Sequence, residues 1–271
     1  MSYPKATILD VETTGLSNSD KAIEIALLQF SFDPTSFKIT SVDKAYLGLS
    51  DPGFPIPYHA RNVHGITDSL VAGKSFNYGT INQIISDSDY LIAHNASFDR
   101  RMLSRDPGIK LPSQDRWRCS CYNIDWKNRH HFPNKRLDTI RSMLFISNRN
   151  SHQAMADVEV VLEVLMRPAI LAELMGMTVE GDINHAVPPA ITINLPDREN
   201  ILSETSPAKS KNRKTTNKKT TNSNASHRYR PGTATRHDSK KETGITDQNS
   251  TGCLLLSAIS ILILLAIAIL N

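Results

Sequence analysis

The sequence predicts an α/β domain, a mixed sheet covered by helices, over residues 1–178 of the 271. Two observations carry this. Apolar runs of strand length, separated by turn-rich segments, fill the first 50 residues. Beyond them a short apolar strand alternates with segments whose apolar residues recur at helical spacing.

The first run, K-A-T-I-L-D-V-E over 5–12, reads as a buried strand, and A-I-E-I-A-L-L-Q-F-S-F over 22–32 is long enough to pair beside it. A third strand is expected over 39–48. Pro52, Pro55 and Pro57 then mark a loop from Asp51 to Tyr58, because proline cannot donate to a central ladder. From Thr67 onward, the spacing of Ile81, Ile84 and Ile85 indicates a helix through about Ser88, followed by a strand from Tyr90 to Ala93. Helices are expected at 97–105, 135–145 and 152–176, the last with Val158, Val161, Leu162 and Leu165 on one face.

Composition changes past this point. Residues 179–202 read as an irregular extension. Segment 203–250 is rich in Ser, Thr, Asn and Lys, with too few large apolar side chains to offset the entropy of ordering, and is expected to be a disordered linker. It holds eleven Lys/Arg against four Asp/Glu, so the chain's net charge of +4 hides a mildly acidic first 202 residues, with 20 Lys/Arg against 23 Asp/Glu. A domain of that charge that meets phosphate needs cations at the contact, from bound metal or local Arg and Lys. The basic linker itself has three readings: attraction to anionic lipid at ~1 kcal/mol per basic residue, nucleic-acid binding, or a solvated tether.

Residues 253–270 form an uncharged apolar run of 18 residues, ~27 Å of helix against a hydrocarbon core of ~30 Å. They are expected to be a single-pass C-terminal membrane tail anchor, the linker and folded domain lying on the cytoplasmic side. The other reading is a buried core helix. No signal peptide is expected, since the apolar run between Lys5 and Asp10 is too short. Cys119, Cys121 and Cys253 are too few and too badly spaced for a disulfide framework or zinc knuckle, and are read as inert thiols.

Three short motifs carry chemistry. Asp10 and Glu12, two apart at a strand end, project from the same face and make a metal site. Thr13-Thr14-Gly15 beside them adds hydroxyls, backbone amides and a flexible turn suited to gripping a nucleotide terminus. H-N-A-S-F-D-R-R puts Asp99 in the first turn of a helix directly after a strand, and S-H-Q-A-M-A-D holds a proton-transfer residue, His152, five positions before Asp157. Singly each is weak: an Asp-x-Glu at a strand end is usually two solvated carboxylates, and a lone histidine is usually a surface residue.

Together and in order, D-x-E-T-T-G, H-N-A-x-F-D and H-x-A-x-x-D resemble the three motifs of the DEDDh 3′→5′ exonuclease family, which includes polymerase proofreading subunits and free-standing bacterial exonucleases. The resemblance covers residues 4–175, with Asn62–Thr67 as a further similar patch. It implies a ribonuclease H-like sheet and hydrolysis of phosphodiester bonds at nucleic-acid 3′ ends with two Mg²⁺ or Mn²⁺ ions, hard cations suited to all-oxygen ligands. In this reading Asp10, Glu12 and Asp157 hold one ion, Asp10 bridges to the second, and Asp99 binds through water or orients the site. His152 takes the proton from the attacking water. Thr13, Thr14 and Leu16 contact the terminal sugar and base; Asn95 and Phe98 line the cleft, Phe98 by packing. His64 is either a substrate contact or a polar loop residue.

Single-stranded DNA is the favoured substrate. The alternatives are an RNA-trimming exoribonuclease and a non-catalytic, membrane-tethered module that grips nucleic-acid ends. A polymerase-subunit partner is disfavoured, because a basic linker and an apolar run follow residue 176.

Overall fold

The structure, a computed structural model, describes residues 2–147, 153–181, 183–189 and 195–196, all within one compact unit. The basic linker and the apolar run 253–270 lie outside the described residues. Among the described residues no helix is long and apolar enough to cross a membrane.

Five strands, β1 (Lys5–Thr13), β2 (Ala22–Phe32), β3 (Ile39–Leu49), β4 (Tyr90–Ala93) and β5 (Trp117–Cys119), form one sheet in the order β3-β2-β1-β4-β5. The first three are antiparallel neighbours, while β4 runs parallel to both β1 and β5. The sheet is therefore mixed, as expected, and central β1 is hydrogen-bonded on both sides.

Alternation along β1 and β2 sorts their side chains onto two faces. Ala6 and Ile8 of β1 join Ala26, Leu28 and Phe30 of β2 in a core shared with α6 (Ala154–Leu165) and α7 (Pro168–Leu174), through Val158, Val161, Leu165 and Ile170. Leu9, Val11, Ile25 and Leu27 face the other way, onto Ile81, Ile84 and Ile85 of α3 (Tyr78–Ser86) and Met102 and Leu103 of α4 (Ala96–Leu103). By the same alternation, Asp10, Glu12 and Glu24 belong to the α6 face, beyond the last apolar residues of β1. A register shift between Glu12 and Thr13 marks where β1 leaves its ladder for the T-T-G turn.

Several expectations need correction. The long helix over 152–176 is two helices, because Pro168 lacks the N–H that would continue the first; Arg167 turns away with φ −95° and ψ 107°. The buried Arg167 guanidinium donates to the carbonyls of Leu144 at 3.2 Å and Ile183 at 2.6 Å, tying the break to neighbouring chain. The region from Thr67 to Ser88 likewise holds two helices, α2 (Asp68–Val71) and α3, the latter capped by Asn77, whose side chain accepts the Thr80 N–H at 3.1 Å. Helix α1 (Tyr58–His64), straight after the proline-rich loop, and strand β5 were not expected at all. Helix α5 (Leu137–Met143) lies inside its expected span. Val179, Ile183 and Leu195 pack against the α6 core, so the described part of 179–202 rests on the domain.

Candidate active site

The end of β1 and the start of α6 bring together what the motifs separate by nearly 150 positions. Single carboxylate oxygens of Asp10, Glu12 and Asp157 all lie within 4.8 Å of one another, each side chain half-buried. Asp10 and Glu12 reach this point from alternate positions of β1. Asp157 reaches it from the first turn of α6, whose apolar face lies across β1 and β2.

Asp99, in the first turn of α4, is 2% exposed and its charge acts on Asp10. Burial pushes its carboxyl up to about 8, and the backbone N–H groups of Asp99 and Val11, which donate to it, offset only part of that. Asp10 is also held well above the usual carboxylate range, first by burial and then by the negative charges of Asp99, Glu12, Asp157 and Glu24. Burial and neighbouring charge thus disfavour the charged forms of Asp10 and Asp99, and a cation bound beside them would favour those forms. An all-carboxylate donor set of this spacing fits hard divalent ions.

The sequence reading passed over Glu24. It is fully buried on β2, directly opposite Glu12 in the ladder, and its Oε2 accepts the backbone N–H of Ala154 at 3.0 Å. Ala154 opens α6, so Glu24 fastens the N-terminus of the helix carrying Asp157 to the strand beside Asp10 and Glu12. A negative group at a helix N-terminus also meets the positive end of the helix dipole. The available signal was one carboxylate inside the apolar run A-I-E-I-A-L-L, where an unpaired charge has no place.

The remaining expected residues fall around the trio. Thr13 is nearly buried and its hydroxyl donates to the Gly15 carbonyl at 2.7 Å. Thr14 is fully buried; its Oγ1 donates to Asp20 at 2.8 Å and accepts the Lys21 N–H at 3.1 Å, so its hydroxyl shapes the loop. Leu16, at the tip, is 73% exposed. Asn95, exposed and left-handed at φ 79°, turns the chain between β4 and α4, and Phe98 packs against the α4 side of the core with Arg101 over its ring. His64 is buried, its Nδ1 accepting the Ile66 N–H at 3.0 Å. His152 lies outside the described residues.

A mixed sheet with convergent carboxylates at the end of its central strand is an α/β scaffold whose acidic cluster could hold a cation. A profile of the family described as Exonuclease matches residues 7–165, more than half of the chain, and the chain belongs to that family. Among curated relatives it is similar to the PolC-type DNA polymerase III of Listeria welshimeri, 31% identical over 160 residues, 56% of this chain and 10% of that protein. It is also similar to exodeoxyribonuclease 10 of Escherichia coli K12, 38% identical over 101 residues, 37% of this chain and 41% of that protein. The match thus spans about a tenth of the first relative and under half of the second. Among solved structures, exonuclease X in complex with 5′-overhanging duplex DNA overlays with a TM-score of 0.44 at 24% identity, covering 63% of this chain and 91% of that one. That overlap is too low to bear on function.

Proposed function

We propose that this protein is a metal-dependent 3′→5′ exonuclease that removes nucleotides from single-stranded DNA. The observation that carries the reading is the meeting of Asp10, Glu12 and Asp157 oxygens within 4.8 Å, in a chain of the exonuclease family. Similarity to a protein named exodeoxyribonuclease supports DNA over RNA.

Asp10, Glu12 and Asp157 would hold one divalent ion, Asp10 would share the second, and Asp99 would reach it through water. Two such ions, when bound, supply an activated water and neutralise charge on the leaving oxygen. The chain's own groups do the rest. His152, two residues before the Ala154 N–H that Glu24 anchors, is assigned removal of the water proton, a transfer typically contributing ~10²–10⁴-fold. Leu16 and Thr13 would bound the terminal nucleotide at the T-T-G turn, with Asn95 and Phe98 lining the same cleft. The apolar run 253–270 is read, from its sequence alone, as a membrane tail anchor that keeps the enzyme on the cytoplasmic side.

The test gives full-length protein 5′-labelled single-stranded DNA and RNA of one sequence, with Mg²⁺, Mn²⁺ or chelator. DNA should shorten stepwise from its 3′ end, and not at all in chelator or in Asp99→Ala. Release of the labelled 5′ nucleotide first, or cutting indifferent to chelator, would overturn the reading. Faster shortening of the RNA would replace DNA as the substrate.

A further inference from the structure

Two cavities share a side chain, Tyr122; the smaller touches the carboxylate cluster through Asp157 and the larger contains none of its residues. The first, about 420 Å³, is lined by Asp157, Asn95, Lys135, Arg136 and Tyr122 among others. The second, about 780 Å³, runs between α4 and β5 and is lined by Tyr122, Arg118, Arg101 and Arg100. Tyr122 stands where they meet. Tyr122 is 63% exposed, and the Lys135 ammonium sits 3.5 Å from its ring centroid, steadying one face of the ring.

The cations along this path are held mainly by carbonyls, an amide and aromatic rings, with Asp115 also attracting Arg118. Arg118 donates to the Asp115 and Trp117 carbonyls and lies over the Tyr90 ring; Arg100 donates to the Gln114 amide; Arg101 lies over Phe98. Among the described residues, none of these arginines, nor Lys135 or Arg136, forms an ion pair with a carboxylate. No acid lines the larger cavity, and of the two that line the smaller one, Asp138 pairs with Arg141. Five cations with no carboxylate within ion-pair distance among the described residues, gathered on one path, are the inverse of the surrounding domain, whose first 202 residues hold more acid than base. Cations in a groove with an exposed aromatic ring match a single polynucleotide strand: phosphates pair with the cations and a base stacks on the ring.

Resting on the exonuclease reading, we infer that this path carries the strand 5′ of the scissile bond. The strand leaves the carboxylates past Asn95 and Arg136, stacks a base on Tyr122, and lays its next phosphates against Arg118 and Arg101. The path thus sets affinity for a chain of several nucleotides and takes no part in the bond cleavage.

Binding of a fluorescent 16-nucleotide single strand to full-length protein in chelator, followed by anisotropy, tests this without catalysis. Tyr122→Ala should weaken binding roughly tenfold, with Tyr122→Phe restoring it. Arg101→Ala with Arg118→Ala should weaken binding and flatten the plot of log affinity against log salt by ~0.7 for each lost phosphate contact. Hydrolysis of the p-nitrophenyl ester of thymidine 5′-monophosphate, which has no upstream strand, should be unchanged in all these variants. Equal binding by wild type and variants, or parallel loss of ester hydrolysis, would overturn the inference. Displacement of the oligonucleotide by polyglutamate at equal charge would make an acidic peptide the occupant and overturn it too. Wild type that binds through these residues but cleaves neither substrate would keep the path and sink the exonuclease reading.

Discussion

The domain gathers acidic residues in two places, and they behave oppositely. At the end of β1, the carboxyls of Asp10 and Asp99 are pushed up by burial and, for Asp10, by neighbouring charge. Some way along the chain, Asp20 and Asp51 line a cavity of about 390 Å³, and both are held below the usual carboxylate range. The difference is which influence prevails: burial and like charge at Asp10 and burial at Asp99, hydrogen-bond donors at Asp20 and Asp51. Asp20 accepts from the Ser17 hydroxyl at 2.6 Å, the Ser17 N–H at 2.7 Å and the Thr14 hydroxyl at 2.8 Å; Asp51 accepts the N–H groups of Gly53 and Gly73. Carboxylates already satisfied by the chain organise loops. Burial and crowding disfavour the charged form, which a bound cation would favour, so the number of acids in a cavity says little until these influences are weighed.

The sharpest break of that contrast exchanges a carboxylate for its amide in each place. Asp10→Asn should lower exonuclease activity by about 10³-fold or more, because the shared ligand loses the charge that holds the ions. Asp51→Asn keeps one oxygen that can accept an N–H and should leave activity within about twofold. Rate measurements at saturating Mg²⁺ decide. Comparable losses in both variants would mean that the satisfied carboxylates matter to the chemistry as well.

A smaller effect sharpens the same point at Glu24, which belongs to both classes: it sits beside the crowded acids yet accepts a backbone N–H. Glu24→Ala should release the start of α6 and cost roughly 10–100-fold in rate, as for groups that orient a ligand. Glu24→Gln, which keeps an acceptor for Ala154, should recover most of that loss. The readout separating positioning from mere stability is the Mg²⁺ concentration for half-maximal rate, which should rise in Glu24→Ala. An unchanged Mg²⁺ requirement would reduce Glu24 to a packing residue.

Glu24 also shows what was legible beforehand. Long apolar runs announced β1, β2 and β3 because strand alternation and length are local properties, and Asp10, Glu12, Asp99 and Asp157 were legible as motifs. Strand β5 is only Trp117–Cys119, too short for any period, and its pairing is set by β4 beside it. Helix α1 follows Pro57, which serves as its N-cap, whereas the prolines had pointed only to a loop. The break at Arg167–Pro168 was open to reading from the proline alone, yet the apolar spacing on both sides hid it. Glu24's role depends on Ala154, 130 positions away, which no local pattern reports.

The subtlest contrast between the two acidic places is in how stability follows pH. Asp99 rises to about 8 in the folded protein from an ordinary 3.8, so the fold binds its proton more tightly than the unfolded chain does. Its contribution to stability is complete below about 3.8 and is lost as pH climbs toward 8. Asp10 shifts in the same direction. Asp20 and Asp51 shift downward, so their contributions are lost only as pH falls below the ordinary carboxylate value, and between pH 5 and 8 they stay constant. Burial lowers the pKa of His94, whose contribution instead grows with pH up to about its ordinary 6.5. The diagnostic quantity is therefore the difference between wild type and Asp99→Asn, measured by thermal melts in chelator. The variant's advantage in Tm should widen from pH 5 to pH 8, reaching roughly 5 °C or more. Mg²⁺ should narrow it by raising the wild-type Tm most at pH 8, where the carboxylates are ready to bind. An advantage that stays flat with pH would mean that the crowded acids ionise as freely as the satisfied ones, and the distinction between the two places would fail.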